Sequence, residues 1–97
     1  MIRFEWDPAK AELNLRKHGV ALKEAATVFQ DPFGITIFDP DHSEVEDRFI
    51  TVGFSGDGRL LTVGHTDRGE RIRTINAREL TRAEREAYEE EIQRRNR

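Results

Sequence analysis

The chain contains no cysteine, so it can form neither a disulfide nor a thiolate-ligated zinc or iron–sulfur site. It also has no run approaching the roughly 18 apolar residues of a membrane span, and its opening "MIRFEWDPAK" has no apolar leader core. These absences lead us to expect a soluble, cytoplasmic protein with no membrane partner. A positive net charge is missing too, with 16 Lys+Arg against 19 Asp+Glu. Bulk charge therefore does not mark a nucleic-acid binder, and only a local cluster of cations could. Repeats, low-complexity tracts and linkers are absent as well, so the 97 residues are expected to form one domain, 1–97.

What is present is sufficient for a modest core. Hydrophobic residues make up 36% of the chain and include six Phe, which argues against disorder. Charge is unevenly placed. The first 48 residues hold six basic and ten acidic side chains, the remainder ten basic and nine acidic, and all ten of those bases are Arg. Arginine is the side chain suited to a planar, two-pronged grip on phosphate or carboxylate.

Period-two alternation in "IRFEW" (2–6) predicts a strand. Asp7-Pro8 supplies a helix cap and a first-turn proline, and Gly19 a stop, which predicts a helix over Pro8–His18. A second helix is expected over Leu22–Phe29, ended by Asp31-Pro32. Strands follow at 33–38, 48–54, 60–66 and 71–77, joined by an acidic loop at 39–47 and by the turns "SGDGR" and "DRGE". Short turns between these four strands predict an antiparallel meander. Thr81 and Glu84 form a capping-box pattern opening a C-terminal helix whose apolar stripe is only Ala83, Ala87, Tyr88 and Ile92. The expected order is β-α-α-β-β-β-β-α, an α+β arrangement.

Several side chains could carry chemistry, each with a plainer alternative. Lys17-His18 sits at a helix C-terminus, where cations interact favourably with the helix dipole, yet His and Lys also serve proton transfer and phosphate attraction. Glu46 and Arg48 stand at i, i+2, so in extended chain they point the same way, as an exposed ion pair or as an acid–base group beside a phosphate clamp. On the last strand, strict alternation puts Arg71, Arg73 and Ile75 on one face and Ile72, Thr74 and Asn76 on the other. Arg73, in mid-strand, needs an anionic partner, either internal (such as Glu46 or Glu70) or a ligand phosphate. His65, alone on a strand, reads as structural. Asp39, Asp41 and Ser43 open like a calcium loop, but Glu44 and Ile50 stand where Gly and Glu are required, so no metal site is expected.

Four blocks in order, "FEWDPAKAELNLRKHGV", "EAATVFQDPF", "E-x-R-F-x-T-V-G" (46–53) and "IRTINAR-x-x-T-x-x-E-R-x-x-Y" (72–88), resemble the BrnT-type toxins of bacterial type II toxin–antitoxin modules. The resemblance covers nearly the whole chain. It implies a RelE-like fold with a mostly antiparallel sheet, two N-terminal helices and a C-terminal helix. It further implies metal-independent RNA cleavage that inhibits translation, with no cofactor. The partner it implies is a cognate BrnA-like antitoxin carrying a DNA-binding domain, and through that antitoxin operator DNA.

On this basis Arg48, Arg73 and Arg78 are expected to grip phosphate, and His18 and Glu46 to exchange protons. Lys17 positions substrate or shares that work, and Tyr88 either stacks or donates a proton, or simply packs in the core. The alternative is a non-catalytic binding module acting within a DNA-bound antitoxin complex through its polar last helix.

Overall fold

The computed structural model describes residues 2–96. In chain order the elements are β1 (Arg3–Glu5), α1 (Pro8–His18), α2 (Leu22–Ala26), β2 (Ile35–Phe38), β3 (Phe49–Phe54), β4 (Leu60–Arg68), β5 (Arg71–Glu79) and α3 (Arg82–Arg95). Two 3-10 turns interrupt this order, Thr27–Gln30 directly after α2 and Pro40–His42 after β2. The order is the expected α+β one.

Local chemistry sets most boundaries. Asp7 caps α1 by accepting the Ala9 N–H (3.1 Å), and Gly19 ends it at φ 69°, a left-handed conformation that glycine adopts without side-chain strain. The helix α2 is shorter than the expected Leu22–Phe29. The Thr27 hydroxyl donates to the Glu24 carbonyl (2.6 Å), and the chain tightens there into the 3-10 turn. In α3 both halves of the Thr81/Glu84 capping box are formed.

Among the described residues the strands form one five-stranded sheet in the order β1-β5-β4-β3-β2. The segment β2 to β5 is the expected antiparallel meander. The first strand pairs parallel with β5, and only along Arg3–Glu5 against Arg71–Arg73. Beyond Arg73, therefore, β5 has no strand neighbour on its outer side among the described residues. Helix α1 lies along that stretch instead. The Asn14 amide donates to the Ala77 carbonyl (2.9 Å) and accepts from the Ala77 N–H (3.1 Å), and it also donates to Val20 O (2.8 Å). A buried side chain thus satisfies the backbone groups that a further strand would otherwise pair.

One expectation about β5 is corrected. Asn76 lies opposite Gly64, but Thr74 lies opposite the next residue, His65, which leaves Ile75 as an extra residue in a β-bulge. The bulge breaks strict alternation. Thr74 and Ala77 are both buried on the helix-covered face, whereas Asn76 and Arg78 share the other face rather than Asn76 siding with Thr74.

Val20, Leu22, Ala25 and Val28 from the helical layer pack against Leu61, Val63 and Ala77 of the sheet, with Trp6, Ala11 and Phe29 closing the margins. Each such fully buried Leu or Val contributes about 1.5–3 kcal/mol relative to exposure. The opposite sheet face is only partly covered. Helix α3 touches it through Tyr88, its one buried residue among those described, whose hydroxyl donates to the Phe33 carbonyl (3.4 Å). The rest of α3 is laced by its own ion pairs, Arg82–Glu86, Arg85–Glu89, and Arg94 and Arg95 with Glu91. No helix among the described residues is long and apolar enough to cross a membrane.

Candidate active site

The uncovered sheet face and the outer side of α1 enclose a cavity of about 510 Å³. Its floor is formed by Ile50, Thr62 and Gly64, with Asn76 beside them. A Cβ on Gly64 would stand 2.7 Å from Asn76 Oδ1, so the absence of a side chain at 64 lets the Asn76 amide lie across the strand. One wall is α1, where Lys10, Asn14 and Lys17 recur at helical spacing and His18 follows in the last turn. Because Asn14 is fixed to β5, the Lys17-His18 end of the helix is held next to Asn76 and Arg78.

The far rim is the loop between β2 and β3. Its two ends are clasped, with the Asp39 N–H donating to the Arg48 carbonyl (2.8 Å) and the Arg48 N–H to Ser43 Oγ (2.9 Å). The Ser43 hydroxyl in turn donates to the Asp39 carbonyl (2.5 Å). This closure places the Arg48 side chain on the cavity at the start of β3. His42, in the 3-10 turn, also lines the cavity, and its Nδ1 lies 2.8 Å from Asp39 Oδ2.

The cavity is cationic although the chain is acidic. Lys10, Lys17, Arg48 and Arg78 all line it, and among the described residues the first three form no ion pair. Arg78 is different. Its guanidinium donates to both carboxylate oxygens of Glu84, at 2.7 and 3.0 Å. These bonds, aided by the Thr81 N–H, hold the Glu84 carboxyl down to about 2. Beneath the floor His65 is buried between Phe29 and Phe49 and shares a 2.8 Å hydrogen bond with Thr51. Burial lowers its pKa, and the nearby Asp67 carboxylate opposes that shift.

Of the residues singled out from the sequence, the fold brings Lys17, His18, Arg48 and Arg78 to this one cavity. It does not bring the other three. Glu46 lies on the outer side of the 39–48 loop, 3.4 Å from Arg68, because that stretch is loop rather than strand and i, i+2 alternation does not apply to it. Arg73 donates to Glu5 on the neighbouring β1 (2.7 Å), an internal partner other than the two anticipated. Tyr88 anchors α3 beside Phe33 and Phe54.

Lys10, Asn14, Asp39, His42 and Asn76 were not anticipated as site residues. For Lys10 and Asn14 the signal was their helical spacing from Lys17. For His42 it was the spacing of three from Asp39 across a turn opened by Pro40.

The family described as "Ribonuclease toxin, BrnT, of type II toxin-antitoxin system" matches residues 6–84. Among solved structures, the crystal structure of the Brucella abortus ribonuclease toxin BrnT is similar in fold. The TM-score is 0.62, covering 84% of this chain and 100% of that one at 18% sequence identity. No curated protein matches the chain.

Proposed function

The chain belongs to the family of BrnT ribonuclease toxins of type II toxin–antitoxin systems, and on that premise we propose that the cavity between α1 and the open sheet face cleaves RNA with its own side chains and no metal. The observation that carries this reading is the convergence of Lys17, His18, Arg48 and Arg78, from three separate elements, on one cavity.

Cleavage of an RNA phosphodiester by its own 2′-oxygen needs a base for the 2′-hydroxyl proton, cations for the charged phosphorane, and an acid for the leaving 5′-oxygen. Arg48 and Arg78 grip the scissile phosphate and stabilise its added charge. Lys10 and Lys17 attract and position the flanking phosphates, and His18 moves a proton, with Lys17 adjacent to share that work. Removing one such preorganised donor costs about 100-fold or more in rate. The reading extends to the setting the family supports: a cytoplasmic toxin that inhibits translation and is neutralised by a cognate BrnA-like antitoxin. That antitoxin carries a DNA-binding domain and bridges the toxin to operator DNA.

The test is cleavage of single-stranded RNA by purified protein in EDTA. Arg48→Ala and His18→Gln should melt like the parent chain and lose at least about 100-fold in rate. Full-rate cleavage by both variants would remove the cavity from the reaction. Activity lost in EDTA and restored by a divalent cation would end the metal-free reading. An intact RNA and unarrested growth with the parent chain would favour a non-catalytic binding module instead.

A further inference from the structure

We propose that His42, oriented by Asp39, is the base of this cavity, taking the 2′-hydroxyl proton while His18 serves the leaving group. The inference rests on the RNA-cleaving reading above and names a catalytic residue that reading lacks. Glu46, the carboxylate anticipated for this work, does not line the cavity; it lies in the adjoining hollow beyond His42 and Arg48, 3.4 Å from Arg68.

The geometry is that of an imidazole held by a carboxylate. Asp39 Oδ2 lies 2.8 Å from His42 Nδ1. An ionised carboxylate can only accept, so Nδ1 carries the hydrogen and Nε2 is left as the lone-pair nitrogen of the neutral ring. The two partners differ in exposure as their roles require, the Asp39 side chain being 16% exposed and the His42 side chain 67%. The orienting group is sheltered and the reacting group is open.

Asp39 is itself fixed by its backbone bonds to Arg48 and Ser43, so His42 and Arg48 are held in one clasped loop. A base and a phosphate clamp thus share a rigid support, and α1 presents His18 and Lys17 from the opposite wall. On its outer side His42 borders Asp41, Glu44 and Glu46, the remaining charged groups near it.

The step balances without a co-reactant. His42 Nε2 removes the 2′-hydroxyl proton as O2′ bonds to phosphorus. The bond from phosphorus to O5′ breaks, and O5′ takes a proton from His18. The products are a 2′,3′-cyclic phosphate and a 5′-hydroxyl. The His42 ring, now cationic, remains bonded to Asp39, and solvent exchange resets both rings.

The experiment compares kcat and KM against pH on a short single-stranded RNA for the parent chain, His42→Gln, Asp39→Asn and His18→Gln. The parent should give a bell-shaped kcat profile. His42→Gln should lose about 100-fold or more in kcat with KM within about threefold, and lose the rise on the acid side of the bell. Asp39→Asn, which keeps the imidazole but not its orientation, should lose at least about tenfold in kcat at unchanged KM. Added imidazole should restore part of the activity of His42→Gly and none of that of Arg48→Ala.

Wild-type kcat with an intact acid limb in His42→Gln, or no imidazole rescue of a folded His42→Gly, would overturn the inference and leave the reading of the cavity standing. A parent chain that leaves RNA uncut would overturn both.

Discussion

The side-chain amide of Asn14 is bonded to both the N–H and the C=O of Ala77, a residue 63 positions away in sequence. This pairing seats α1 against the part of β5 that β1 does not reach, and it fixes the distance between Lys17-His18 and Arg78. Replacing Asn14 by Leu, of similar size, should take the side-chain partner from three buried backbone groups, the Ala77 N–H and C=O and the Val20 C=O. The expected cost is about 2–4 kcal/mol, read as a lower urea midpoint at unchanged m-value. A midpoint equal to the parent's would show that the amide contributes no net stability.

Glu84 holds Arg78 by both prongs of its guanidinium, so RNA must compete with a carboxylate for that cation. Glu84→Gln keeps a side chain that can complete the capping box and removes the competing charge. RNA should bind several-fold more tightly, and the slope of log affinity against log salt should steepen by up to about 0.7, the value of one single-strand phosphate contact. Weaker or unchanged binding by a folded Glu84→Gln would mean that Arg78 does not meet phosphate.

Acid should destabilise the fold in two stages. Burial lowers the His65 pKa from its ordinary value of 6.5, so the unfolded chain binds this proton first and stability begins to fall below about that pH. Glu24 is held below the carboxylate value of 4.5, first by its hydrogen bond from Arg59, and Glu84 is held to about 2. Both bind fewer protons folded than unfolded. Their stabilisation is complete above about 4.5 and is lost as pH falls further, down to about 2 for Glu84. Glu24, whose side chain is 11% exposed against 42% for Glu84, should carry more of this lower stage because solvent screens it less. Melting temperature followed from pH 7 to pH 2 should show both falls, and Glu24→Gln should flatten the second. A Glu24→Gln curve parallel to the parent's would remove that ion pair from the account.

Arg73→Ala, Glu46→Gln and Tyr88→Phe should each cleave RNA within about threefold of the parent. Arg73→Ala leaves the Glu5 carboxylate only Arg71, 4.0 Å away, and should cost about 1 kcal/mol or less, since the pair is partly exposed. A 100-fold rate loss in a variant that melts normally would return that residue to the mechanism.

The sequence by itself determined the element order and most boundaries, because these depend on contacts within a few residues: Asp7-Pro8 and Gly19 around α1, the Thr81/Glu84 box at α3, the glycine turns between β3, β4 and β5. It also marked Lys17, His18, Arg48 and Arg78, which carry a signal in their own chemistry. Tertiary structure alone decided which of the marked residues meet. Glu46 was set beside Arg48 by a strand alternation that starts only at Phe49. Arg73 found its counter-charge on β1, whose parallel pairing with β5 leaves no local trace in either segment. The bulge at Ile75 turned Asn76 and Arg78 together away from the face of Thr74 and onto the open one, and a one-residue slip of this kind is invisible to any periodicity. The cavity exists because an asparagine on a helix replaces a strand at the edge of β5, a long-range hydrogen bond that no window of the sequence contains.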